Sequence, residues 1–119
     1  MVKHWSSTQG IIALSTAEAE YYAMVMGGSQ ALGVKALLLG LGVEVQITEC
    51  VDATAAKAIS LRRGLGKVRH LDVHQLWLQS MTNDGTISLR KVPTAENLAN
   101  HMTKYVGVQE TKWFLKATN

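Results

Sequence analysis

The residues best equipped for chemistry are the carboxylates of Ser15-Thr16-Ala17-Glu18-Ala19-Glu20-Tyr21-Tyr22 and a single acid, Asp52, about thirty residues later. The first segment closes a short apolar strand, Gly10 to Leu14, and opens a long helix. Asp52 stands where a second strand, Val43 to Val51, runs out. A carboxylate in the first turns of a helix and another at the carboxyl end of a strand can hold a divalent ion. Oxygen ligands suit magnesium or manganese, and the strand end leaves room for substrate.

The elements that must position these acids follow from patterning. Val2-Lys3-His4-Trp5-Ser6 and Gly10-Ile11-Ile12-Ala13-Leu14 flank Ser7-Thr8-Gln9, which predicts a short hairpin. Ser15 is an N-cap residue and Glu18, three residues on, completes a capping box. From there Glu20, Ala23, Met24, Gly27, Ala31, Val34, Leu38 and Leu41 recur at spacings of three and four. That stripe predicts that Glu20 heads the inward face, with Glu18, about 200° away, serving the cap. Gly27 and Gly28 each cost roughly 1 kcal/mol in a helix; close approach to a sheet would compensate.

Val43, Val45, Ile47 and Val51 alternate with Glu44, Gln46, Thr48, Cys50 and Asp52, as in a strand with one apolar face. A short helix is expected over Ala53 to Leu61, then a loop from Arg62 to His70. Asp72 with Gln75 caps the next helix, with Val73, Leu76, Trp77, Ser80 and Met81 on its stripe. Asn83-Asp84-Gly85 turns the chain into a strand, Thr86 to Val92. Pro93-Thr94 starts a helix bearing Ala95, Leu98, Ala99 and Met102, and Gly107 ends it. A final helical stretch covers Gln109 to Ala117.

Composition bounds the answer. The 119 residues are 47% hydrophobic, enough for one domain with a real core, and only 18% charged. A surface so sparsely charged suits partial covering by another molecule. Net charge +3 permits an anionic partner. Cys50 is the only cysteine, which excludes an internal disulfide or a thiolate metal site. Met1 to Ser7 holds no signal-peptide core. No transmembrane segment is expected: the best apolar run, Ala36 to Val43, falls well short of the roughly 20 residues that span a bilayer. Compartment is otherwise unmarked.

This α/β order, with its specific segments, resembles the ribonuclease H domain of copia-type retrotransposon polyproteins. The resemblance is carried by Trp5-Ser6-Ser7, by Ala13-Leu14-Ser15-Thr16-Ala17-Glu18-Ala19-Glu20-Tyr21 and by Asp52-Ala53-Thr54-Ala55-Ala56. It continues in Arg69-His70-Leu71-Asp72-Val73, Leu89-Arg90-Lys91-Val92-Pro93 and Asn97-Leu98-Ala99-Asn100-His101-Met102-Thr103-Lys104. It implies a mixed sheet flanked by helices, in one domain over 1–119, with a hairpin (1–14), an α/β core (15–106) and a helical tail (107–119).

By resemblance the substrate is an RNA–DNA hybrid, cut with two divalent ions, Mg2+ or Mn2+, about 4 Å apart. Four carboxylates are needed to hold them. The resemblance makes Glu20 the helix ligand and Asp52 the strand-end ligand. The family's first acid lies on an initial strand before the Trp5-Ser6-Ser7 segment, so the implied fold is N-terminally truncated, with the first strand absent. The last acid falls on Asn100, an amide without charge; Glu96 is the nearest acid one turn earlier. Two of four anionic ligands are missing, which predicts weak metal binding and impaired cleavage.

Plainer readings stand beside these. Glu20 could be a helix-start carboxylate favoured by the dipole, and Asp52 could cap the helix that follows it. His70-Leu71-Asp72-Val73-His74 has zinc-like composition, but Asp72 is explained as a cap. Gly64-Leu65-Gly66-Lys67 lacks Walker spacing and the following Ser or Thr. Trp77 and Trp113 read as core or interface aromatics. Between Ala53 and Leu71 lie Lys57, Arg62, Arg63, Lys67 and Arg69 with no acid. Arg62, Arg63, Lys67, Arg69 and His70 are therefore candidates for a nucleic-acid backbone, or a solvated loop. Two functions compete: an impaired nuclease domain that still binds hybrid, and a noncatalytic interaction subunit whose protein partner covers the strand edge left open by the missing strand.

Overall fold

The computed structural model describes residues 5–10, 12–52, 54–61, 63, 76–103 and 105–118. The long helix α1 (Thr16–Gly40) comes first, followed by strand β1 (Ile47–Val51) and helices α2 (Thr54–Leu61) and α3 (Trp77–Asn83). Strand β2 (Ile87–Lys91), a single 3-10 turn (Thr94–Glu96), α4 (Asn100–Thr103) and α5 (Val108–Thr118) complete it. The architecture is mixed α/β. Its sheet has two strands, parallel, with Ile47 opposite Ile87 and Val51 opposite Lys91. Parallel pairing requires a crossover, which α2 and α3 supply.

Helix α1 begins as the sequence indicates. Ser15 Oγ accepts from Glu18 N at 3.2 Å, and Glu18 Oε2 accepts from Leu14 N at 2.8 Å. At its other end Val43 N donates to Leu38 O and Gly42 N to Leu39 O, a Schellman arrangement. It turns on Gly42, whose φ of 80° excludes most side chains.

The buried line of α1 is Glu18, Tyr21, Tyr22, Met24, Val25 and Gly28. Glu20 and Ala23 are exposed, so the face is rotated from the stripe read in the sequence. The helix is apolar nearly all round, and the two tyrosines, with far more area to bury than Ala or Gly, set the inward direction. By length and composition α1 could cross a membrane, with mean hydropathy 1.3 over its best 18 residues, contrary to the shorter run read from the sequence. A core helix passes the same test, and α1 packs on β1 and α2.

Glycines allow that packing. A Cβ on Gly28 would lie 3.2 Å from both Ile87 Cδ1 and Leu78 Cδ1; one on Gly27 would lie 2.8 Å from Glu49 Oε1. The core joins Tyr21, Met24 and Val25 to Ile47, Val51, Ala56, Ile59, Leu78 and Ile87. Polar bonds lock α3 to α2: Gln79 Nε2 donates to Ile59 O at 2.9 Å, and Thr82 Oγ1 to Ser60 O at 2.8 Å.

Three expectations change. The described residues 5–10 and 12–13 form no strand, so the hairpin is not seen there; residues 5–10 are all exposed and bury no apolar face that could hold a two-stranded ribbon. Strand β1 starts at Ile47 rather than Val43, because β2 reaches only as far as its Ile87 partner. The helix expected after Pro93 is two pieces, broken at Asn97, whose extended φ/ψ of −78° and 106° interrupts the ladder. Ala53, the Asp72 cap and most of the basic loop lie outside the described residues.

Candidate functional site

Parallel strands place the carboxyl ends of β1 and β2 side by side, where Val92 N donates to Val51 O at 2.9 Å. Asp52 follows β1 there, half-buried. Helix α1 passes over the same end and brings Glu20, one turn into the helix, to the rim. Together they line a cavity of about 180 Å³ whose other walls include Glu49, Asn97 and Ala99. The two acids read from the sequence therefore share one cleft.

Glu49 was not singled out in the sequence. It lies in register with Ile47 and Val51 on the face of β1 that meets α1, and packs against Gly27. Among the described residues its Oε2 is buried without a hydrogen-bond partner. Burial pushes its carboxyl up from the ordinary 4.5 to about 7. The signal was present: on strict alternation position 49 belongs to the apolar face of β1, and an acid there is out of pattern.

Comparison with known proteins then bears on origin. Over 104 residues, 85% of its length, the chain is 34% identical to the retrovirus-related Pol polyprotein from transposon TNT 1-94 of Nicotiana tabacum. The likeness supports a retrotransposon origin. This retrotransposon-related chain spans about 8% of that polyprotein. No family model matches it, and no solved structure matches it.

The remaining site residues of the retrotransposon-related chain fall elsewhere. Asn100 does not line the Glu20–Asp52 cavity; its Nδ2 donates to Thr94 O at 2.6 Å, and it borders a narrow crevice beside His101, Glu110 and Trp113. The amide that does face the carboxylates is Asn97, whose Oδ1 also accepts from Ala99 N at 3.1 Å. Glu96 is exposed and is not part of the cavity wall. Among the described residues no three His, Cys, Asp or Glu side chains come close enough to hold one ion. Among the described residues the donor set thus does not fit a two-metal centre.

Of the basic candidates, Arg63 is exposed and borders an open cleft beside α3 with Leu76, Gln79, Asn83 and Asp84, apart from Glu20 and Asp52. Arg62, Lys67, Arg69 and His70 lie outside the described residues. Trp77 is half-buried against the core, and Trp113 is 39% exposed on α5. His101 stacks on Phe114, ring centroids 4.3 Å apart, which fastens α4 to α5.

Proposed function

We propose that this chain is a ribonuclease H-like domain descended from a copia-type retrotransposon, in which the cleavage centre is incomplete and hybrid binding is the activity retained. The observation that carries the reading is that Glu20 and Asp52 share one cleft at the strand ends with Glu49 and the amide of Asn97, while among the described residues no three acidic side chains come close enough to hold one ion. Phosphoryl transfer by two ions needs enough anionic oxygen to neutralise both. Glu20 and Asp52 suffice for one loosely held Mg2+ or Mn2+ at most, in the millimolar range of oxygen sites with few charges.

The test is direct. A 20-base-pair RNA–DNA hybrid, a size of roughly two helical turns, is incubated with the full chain and magnesium, with binding and cleavage followed in the same sample. Binding that weakens steeply with salt, without strand scission, is the expected result. Scission that disappears in Glu20→Gln would overturn the impaired reading.

A second reading, a noncatalytic interaction subunit, is favoured by the surface. The chain exposes 8218 Å², whereas a self-contained protein of 13.0 kDa exposes about 6,300 Å². Its radius of gyration, 15.1 Å, exceeds the ~13.5 Å expected for this length. Ile12, Leu14, Leu37, Leu41 and Val108 are each more than two-thirds exposed or close to it. Such a surface suits a domain covered by a protein partner, including along the strand edge.

A further inference from the structure

The end of the sheet that bears the carboxylates also bears charge of the other sign. Strand β2 finishes on Arg90 and Lys91, in register with Cys50 and Val51, and both of those β1 residues line the Glu20–Asp52 cleft. Arg90 and Lys91 are exposed. Arg90 Nη2 donates to Cys50 Sγ at 3.3 Å, and Lys91 Nζ donates to Thr54 Oγ1 at 2.6 Å. Thr54 opens α2, close behind Asp52 in the chain.

These partners leave both charges uncompensated. A thiol is a weak acceptor and a hydroxyl a neutral one. Among the described residues neither cation pairs with a carboxylate, although Glu49 lies on the adjoining strand and Asp52 just past its end. The guanidinium presents five N–H donors in a planar fork matched to phosphate oxygens, and the thiol engages only one of its nitrogens. Lys91 supplies a compact point charge beside it.

Alternation sets the direction. Adjacent residues on a strand project to opposite faces, so Arg90 lies on the outer face with Cys50, and Lys91 on the other face, bonded to the start of α2. A ligand resting on either face meets one of them. A linear polyanion laid across the carboxyl ends of both strands meets both, and runs beside the cleft. Duplex nucleic acid carries about one negative charge per 1.7 Å of axis, and Glu20 and Asp52 repel it. Two unpaired cations at the same end offset that repulsion.

We propose that Arg90 and Lys91 hold the phosphate backbone of a bound duplex across the carboxyl ends of β1 and β2, alongside the carboxylate cleft. This rests on the reading of the chain as a hybrid-binding domain and names the side chains that position the hybrid.

The full chain is titrated at several salt concentrations with an RNA–DNA hybrid of roughly two helical turns and with duplex DNA of the same length. Each phosphate contact contributes about 0.9 to the slope of log Kd against log salt. Arg90→Gln and Lys91→Gln should each lower the slope by about that amount, and the double variant by about twice as much. The loss should be the same on both duplexes, because a phosphate contact does not read the sugar. Arg90→Lys should keep the slope while weakening binding, since it retains the charge and loses the fork. Lys35→Gln, about 22 Å along α1 from Glu20, should leave the slope unchanged. Unaltered slopes in Arg90→Gln and Lys91→Gln overturn the proposal, as does an equal loss in Lys35→Gln. A fall that Arg90→Lys does not restore marks a structural role and overturns it too. Hybrid bound with unaltered slopes defeats this proposal alone. Duplex DNA bound with the expected losses, and hybrid unbound, defeats only hybrid binding. Failure to bind either duplex defeats both.

Discussion

A buried carboxylate, Glu18, and a half-buried one, Glu49, have opposite fates. Glu18, 1% exposed at the start of α1, accepts from Leu14 N at 2.8 Å and from Tyr22 Oη at 2.9 Å. Glu49, in the middle of β1, has an oxygen buried with no partner among the described residues, and its carboxyl is pushed up to about 7. Burial alone does not decide whether an acid stabilises a fold; the donors around it do. At Glu18 the donors come from the adjacent turn, so the local sequence supplies them. At Glu49 no such donor is found among the described residues.

The largest effect should come from breaking the satisfied region. Glu18→Ala leaves Leu14 N and Tyr22 Oη without their acceptor. A loss of about 3 kcal/mol is expected, read as a fall of more than 10 °C in a thermal melt. A change under about 1 kcal/mol would mean that solvent replaces those bonds.

Next comes Glu49, with the opposite sign. Its folded pKa lies above the unfolded value, so the native state holds the proton more tightly. Stability is full below about pH 4.5 and declines as pH rises through 7. Glu49→Gln should therefore stabilise by about 1–3 kcal/mol at pH 8 and do little at pH 4. Urea melts at the two pH values measure the difference. A destabilised variant at pH 8 would reveal a native cationic partner.

A smaller effect tests the contact between the strand acid and the helix. Gly27→Ala gains about 1 kcal/mol of helix propensity but puts a Cβ 2.8 Å from Glu49 Oε1. The substitution should be neutral or unfavourable in the unaltered chain and stabilising once Glu49 is Ala. A double-mutant cycle with no coupling would separate the two residues.

The smallest effect concerns the amides. Asn97→Asp should tighten Mg2+ several-fold, since Asn97 faces the Glu20–Asp52 cleft. Asn100→Asp should do less, because Asn100 faces away and gives up its bond to Thr94 O. Calorimetric titration of both variants gives the order.

Much of this was readable where chemistry is local. Ser15 with Glu18 fixed the start of α1, and Gly27 with Gly28 its close approach to the sheet. Where tertiary contacts decide, reading failed. An almost uniformly apolar helix does not declare its face, so its three-and-four spacing puts Glu20 on the inward face that the tyrosines occupy. Position 49 broke the strand's alternation, yet its consequence depends on Gly27 across the space. The break at Asn97 follows from its extended backbone and brings Asn97, not Asn100, to the cleft. That Glu20 and Asp52 meet was legible, because a helix start and a strand end at one edge of a parallel sheet converge on the same place.

On the proposed reading the carboxylate cleft holds no two-metal centre. Isothermal titration of the full chain with Mg2+ tests it most directly. One site of millimolar Kd, lost in Asp52→Asn, is the predicted result. Two sites of micromolar Kd would contradict it.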